Sequence, residues 1–313
     1  MNYVFFDCEC SNCLKGEGKI CSFGYVKTDE NFNIIKKKDT LMNPDAPFRL
    51  GDAAHGNGIR LAYPLFRFTS CHTFPTYYEE IKKLLETPDT LAFGFAVTQD
   101  VSYLAYTCKR YNLPVFNFRF YDIQLLEKII HQNKNPNGLD TLINQYKIEP
   151  STFHRSDDDA FMTMEVLRGI LNENSISVPQ MIQIYPEPLC TSADFVKVLE
   201  QRRVQKARKK ALNEKIDQMF ISLDKISPVL SDYDSNFAKK AFYFDYKMLS
   251  YRLDKIRLLA TMIKRKGGYI TRNPNKADRL VVEKGKGVSN TIQLKEEAQI
   301  LSFDQISADL HVK

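Results

Sequence analysis

The stretch Tyr3-Val4-Phe5-Phe6-Asp7-Cys8-Glu9-Cys10 decides how the first half of this chain is read. Its apolar run predicts a buried strand over residues 3–9. The two-residue period of a strand sends Asp7 and Glu9 to one face and Cys8 and Cys10 to the other. Two acids on one face of an apolar strand are costly unless positive charge sits between them. Working outward, residues 20–26 and 34–41 read as two more strands, joined by the polar turn Thr28-Asp29-Glu30-Asn31 as a hairpin. Helical spacing over 77–85, a short buried strand over 90–97 and helical spacing over 101–111 follow. A strand at 118–122 and helices at 124–130 and 139–146 come next. Three strands in series, then alternating helix and strand, predict a mixed α/β sheet flanked by helices. A further helix, with Ser156 or Asp157 as its N-cap, presents Phe161, Met164, Leu167 and Leu171 and closes this domain.

The bulk properties fit such a chain. A length of 313 residues with 43% hydrophobic content supports a real core and excludes disorder throughout. Charge is uneven: residues 1–180 carry 19 Lys/Arg against 22 Asp/Glu, and residues 181–313 carry 25 against 16. The second half is thus expected to meet an acidic partner, while the first gathers carboxylates. No secretory signal and no run of membrane-spanning length stands in the sequence. Seven cysteines without an export signal fit a reducing compartment, so a cytoplasmic location with no membrane partner is expected.

Acids recur at two later places. Asp100 follows the short buried strand and opens a helix, a position where an isolated Asp is more often a cap. His154 and Asp159 straddle a loop-to-helix junction, with Asp157 and Asp158 as neighbours that could replace Asp159; the spacing favours Asp159. Converging carboxylates are what two-metal phosphodiester hydrolysis requires, because two divalent ions must clamp the attacking and departing oxygens. Cys10 and Cys13 form a single C-x-x-C pair. With Cys8 on the opposite strand face and Cys21 on another strand, reduced cysteines are expected rather than a zinc site.

In this order, Asp7-Cys8-Glu9, Asp100 and the run His154-Arg155-Ser156-Asp157-Asp158-Asp159-Ala160 resemble the three motifs of the DEDDh family of 3′-to-5′ exonucleases. That group includes the proofreading epsilon subunit of bacterial DNA polymerase III. Gly138-Leu139-Asp140-Thr141-Leu142 resembles the segment that precedes the last motif, and Asp122 a frequent acid of the fold, read here as structural. The resemblance spans roughly residues 1–175 and implies a ribonuclease H-like fold. It implies Asp7, Glu9, Asp100 and Asp159 as catalytic ligands of two Mg²⁺ or Mn²⁺ ions, Asp7 shared by both, and His154 as the base that deprotonates the attacking water. It also implies substrate contacts at Cys10 and at His55. Where members often carry a His-Asn pair and an aromatic residue near the second motif, this chain has Phe95, Ala96 and Gln99.

Downstream, Arg202, Arg203, Lys206, Arg208, Lys209, Lys210 and Lys215 read as a basic helical connector. Arg202, Arg203, Lys209 and Lys210 are candidates for contact with a nucleic-acid backbone. Residues 240–244, the helix ending at Gly267-Gly268, residues 277–282 and residues 300–304 together resemble a BRCT domain, a small α/β fold. Its phosphate-binding members place Ser or Thr where this chain has Asp245, and Lys near Asn290, so a protein or DNA docking module is expected rather than a phosphopeptide reader. The expected organisation is an exonuclease domain over 1–178, the connector over 179–236 and the BRCT-like domain over 237–313. The expected function is removal of nucleotides from the 3′ ends of single-stranded or frayed DNA in replication or repair, with a replication or repair protein as partner. RNA as substrate and a non-catalytic scaffold are the alternatives.

Overall fold

The computed structural model describes residues 1–51, 60–149, 152, 154–283, 285, 295 and 297–311. His55 and Asn290 lie outside the described residues. The chain divides into two compact units, Met1–Gln201 and Arg202–Lys313.

The first unit is built on a six-stranded mixed sheet. Its strands are β1 (Asn2–Cys10), β2 (Ile20–Thr28), β3 (Ile34–Leu41), β4 (Thr90–Gly94), β5 (Arg119–Asp122) and β6 (Leu189–Thr191), in the order β3-β2-β1-β4-β5-β6. The hairpin β2–β3 and its neighbour β1 pair antiparallel, while β4 and β5 join parallel to β1. Helices α1 (Leu65–Thr69), α2 (Tyr78–Glu86), α3 (Thr98–Arg110), α4 (Ile123–Ile130), α5 (Leu139–Gln145), α6 (Ser156–Asn174) and α7 (Val178–Ile184) connect or cover it.

The alternation of β1 decides what each face meets. Tyr3 and Phe5 pack with Met164, Leu167 and Ile170 of α6, whereas Val4, Phe6 and Cys8 pack with Val101, Leu104 and Cys108 of α3. Asp7 and Glu9 continue the Tyr3–Phe5 face and so emerge where the apolar core under α6 ends.

Two sequence expectations shift here. The strand over 90–97 stops at Gly94, because Ala96 takes a left-handed backbone (φ 51°) and α3 already begins at Thr98, which puts Asp100 inside the first turn and not at the cap. The cap of α6 is Arg155 rather than Ser156 or Asp157, and no side chain caps its first N–H groups.

The break between the units falls within α8 (Ser192–Asp224), a stretch without Gly or Pro and rich in Lys, Arg, Ala and Leu, all good helix formers. Beyond it, β7 (Ala241–Phe244), α9 (Tyr246–Arg265), β8 (Tyr269–Ile270), β9 (Arg279–Val282), β10 (Gln299–Ser302) and α10 (Phe303–Asp309) make a parallel sheet in the order β10-β9-β7-β8. Here α9 begins twelve residues before the expected helix over 258–265, because Asp245 caps it by accepting from the Lys247 N–H; its only non-helical residue is Arg252. Among the described residues, no helix is long and apolar enough to cross a membrane.

Candidate functional site

Three segments deliver polar side chains to one cleft of about 320 Å³, lined by Asp7, Glu9, Asp100, His154 and Asp159 among others. Asp7 and Glu9 come from the carboxyl end of β1. Asp100 reaches β1 from the first turn of α3, where its Oδ1 accepts the Cys8 N–H at 3.3 Å. The turn before α3 faces Asp122, which caps α4 through the Leu125 N–H at 3.1 Å and whose charge the nearby N–H groups of Ala96 and Thr98 stabilise. A buried carboxylate thus holds the left-handed turn that aims Asp100.

Asp159 is delivered by close approach of α6 to the sheet. Asp7 pairs with Gly24 on β2, and a Cβ on Gly24 would lie 2.0 Å from the Asp157 nitrogen and 2.1 Å from the Ser156 carbonyl carbon. Only glycine lets the first turn of α6 rest there. Ser156 then donates to Ser22 at 2.9 Å, and Ser22 to Asp39. The three consecutive acids separate by partner. Asp157 accepts from Arg155 Nε at 2.8 Å and Asp158 pairs with Lys37 Nζ at 2.5 Å, whereas Asp159 lines the cleft.

His154 takes a left-handed backbone (φ 57°), and its carbonyl accepts the Ala62 N–H at 3.3 Å. Its exposed ring places Nδ1 3.6 Å from Glu9 Oε1. Ligand atoms of Glu9, His154 and Asp159 lie within 4.8 Å of one another.

The electrostatics are those of crowded acids. Burial, then the charges of Asp100, Glu9 and Asp159, pushes Asp7 well above the usual carboxylate range. Burial does the same to Asp100, against the stabilising Cys8 N–H. Asp159 is pushed up to about 7 by burial and Glu9, with His154 opposing. The nearby Glu9 carboxylate raises His154 above the ordinary imidazole value, against burial. The nearby cations Lys37 and Arg155 are engaged by Asp157 and Asp158. Oxygen donors this crowded suit hard divalent cations, so the residues present fit such ions.

The rest of the cleft wall is partly apolar: Phe95, Ala96, Gln99, Tyr103 and Leu139 line it, with Asp140, Cys10 and Cys13. The Cys13 thiol is lowered to about 6 by its hydrogen bond with Cys10 and a further one with Tyr103. All seven cysteines are free. Gly24, Tyr103 and the brace from Asp122 to residues 96–98 escaped sequence reasoning. A glycine inside a strand was the one available signal, since it marks close backbone approach.

No family model matches the chain, and no curated protein matches it. Solved structures of exonuclease I are similar to it in part. A product-bound form is 15% identical with a TM-score of 0.47, covering 58% of this chain and 45% of that one. The Escherichia coli enzyme in complex with a dT13 oligonucleotide is 16% identical with a TM-score of 0.46, covering 58% and 43%. The chain therefore spans less than half the length of those proteins.

Proposed function

We propose that the first unit is a divalent-metal-dependent exonuclease that shortens single-stranded DNA from its 3′ end. The observation that carries the reading is the meeting of Asp7, Glu9, Asp100, Asp159 and His154 in one cleft, from three separated segments. Asp7, Glu9, Asp100 and Asp159 would hold two Mg²⁺ or Mn²⁺ ions. When bound, such ions neutralise charge on the phosphate and acidify water.

The protein's own groups do the rest. With Nδ1 turned toward Glu9, the other ring nitrogen of His154 is the acceptor for a proton from the attacking water, and the Glu9 contact makes it a stronger base. Because the ring is exposed, the proton can pass on to solvent. Phe95, Tyr103 and Leu139 offer apolar surface to a terminal base. The choice of a 3′ end follows from the motif resemblance.

For the second unit we propose a BRCT-like docking role. A four-stranded parallel sheet with helices α9 and α10 suits that small α/β fold. Asp245 argues against phosphate recognition on physical grounds, since its carboxylate already satisfies the N-terminus of α9 at Lys247 N and would repel a phosphate.

The test is to incubate the chain with 3′- and 5′-labelled single-stranded DNA and RNA in Mg²⁺, Mn²⁺ or EDTA, beside His154→Ala. Stepwise shortening of the 5′-labelled DNA, abolished by EDTA, supports the proposal. Absence of shortening with either metal sinks the enzyme, and far faster loss of RNA sinks the deoxyribonuclease.

A further inference from the structure

The second unit holds a cleft that the nuclease reading does not use. Residues 202–313 carry 24 Lys/Arg against 13 Asp/Glu, and a run of positive charge occupies the middle of α8. Residues 201–210 are exposed on every face of the helix, with Arg202, Arg203, Lys206, Arg208, Lys209 and Lys210 and no acid among them. About 16 Å along the helix from Arg202, at Asn213, this basic track reaches a pocket of about 280 Å³.

The pocket walls combine aromatic residues, Phe220 from α8, Tyr243 and Phe244 from β7 and Tyr246 from the start of α9, with the aliphatic side chains of Ile216, Leu249 and Ile270 and the thioether of Met219. Its rim is polar. The Arg272 guanidinium lies 4.3 Å from the Phe220 ring centroid and donates to Asp217 at 2.5 Å, so the one acid at the mouth is paired. Tyr246 donates its hydroxyl to Asn213 Oδ1. A basic track leading to aromatic faces with amide and hydroxyl groups at the edge combines what a strand of unpaired nucleotides needs. Cations follow the phosphates, and a π surface takes a base without regard to its identity.

We propose that this pocket is a base-stacking subsite for single-stranded nucleic acid, with the phosphates of the same strand running along residues 202–210 of α8. The proposal rests on the reading of the chain as a nucleic-acid enzyme and extends it with a second, non-catalytic contact on the substrate strand. Charge complementarity selects the strand over an apolar peptide as occupant, because the helical approach to the pocket, residues 202–210, holds six Lys/Arg and no acid.

The experiment is binding of fluorescein-labelled dT12, and of the same oligomer carrying one 2-aminopurine, to the full chain in EDTA, where no hydrolysis occurs. Phe220→Leu is expected to weaken binding by about fivefold or more and to relieve quenching of 2-aminopurine, with the salt dependence unchanged. Tyr246→Leu, at a rim position that is 40% exposed and so spares the core, is expected to do the same. Arg202→Ala with Arg203→Ala should instead flatten the slope of log affinity against log salt by about 1.4, at roughly 0.7 per phosphate contact. Unchanged affinity and quenching in folded Phe220→Leu and Tyr246→Leu would overturn the subsite. In that case 3′-end shortening by the wild type in Mg²⁺ is unaffected, so the two ideas fail separately. A dT12 complex displaced by an aromatic peptide but insensitive to salt would also overturn it.

Discussion

Replacing Asp159 by Asn removes one acid from the crowded cleft and should stabilise the metal-free protein in a pH-dependent way. Asp159 rises from an ordinary 3.8 to about 7 on folding, chiefly through burial and the Glu9 charge. A carboxyl whose folded value is raised favours folding while protonated. Its contribution is full below about pH 4 and is lost as pH climbs to about 7. A rise of roughly three units corresponds to about 4 kcal/mol at most, and protons retained by Asp7 or Asp100 relieve part of it. At pH 8 in EDTA the variant should therefore melt higher than the wild type, by up to about 8–16 °C for a unit of this size. At pH 4 the two should coincide. Scanning calorimetry at both pH values measures the difference, and adding Mn²⁺ should raise the wild type far more than the variant. Equal melting of the two proteins at pH 8 in EDTA, or an equal gain at both pH values, is incompatible with an Asp159 carboxyl raised by folding.

Other perturbations follow from single contacts. Gly24→Ala forces a Cβ into the backbone at Ser156 and Asp157; it should cost about 1–3 kcal/mol and weaken Mn²⁺ binding as α6 lifts, read by thermal melting and calorimetric titration. His154→Ala should lower cleavage about 10²–10⁴-fold while leaving metal binding nearly intact. In EDTA the wild-type His154 imidazole, followed by NMR, should titrate above 6.5, the direction in which Glu9 moves it. Iodoacetamide at neutral pH should label Cys13, lowered to about 6, before Cys8, Cys21 and Cys108, which burial raises; peptide mass spectrometry gives the order.

Much of the first unit was legible because its signals are periodic. The alternation in residues 3–9 separates the α6 face from the α3 face, and the acids at Asp7 and Glu9 interrupt it where the core ends. The β2–β3 hairpin follows from its polar turn. What escaped is non-local. Nothing near Asp122 in sequence says that its carboxylate meets the N–H groups of Ala96 and Thr98, and nothing near Gly24 says that a helix some 130 residues on rests against it. β4 ends before its apolar run does: Phe95, Ala96 and Val97 are strand-like in type, but Ala96 adopts a left-handed turn that local propensity does not announce. The start of α9 follows from Asp245 as its cap, a role that its place beside an expected phosphate position conceals.

The proposed function needs Asp7, Glu9, Asp100 and Asp159 to hold two hard divalent ions together. Counting Mn²⁺ bound per chain, by titration calorimetry with parallel electron paramagnetic resonance, tests it most directly. Two ions are expected in the wild type and loss of at least one in Asp7→Asn, with the fold retained. No bound Mn²⁺, or a count unchanged by Asp7→Asn, would contradict it.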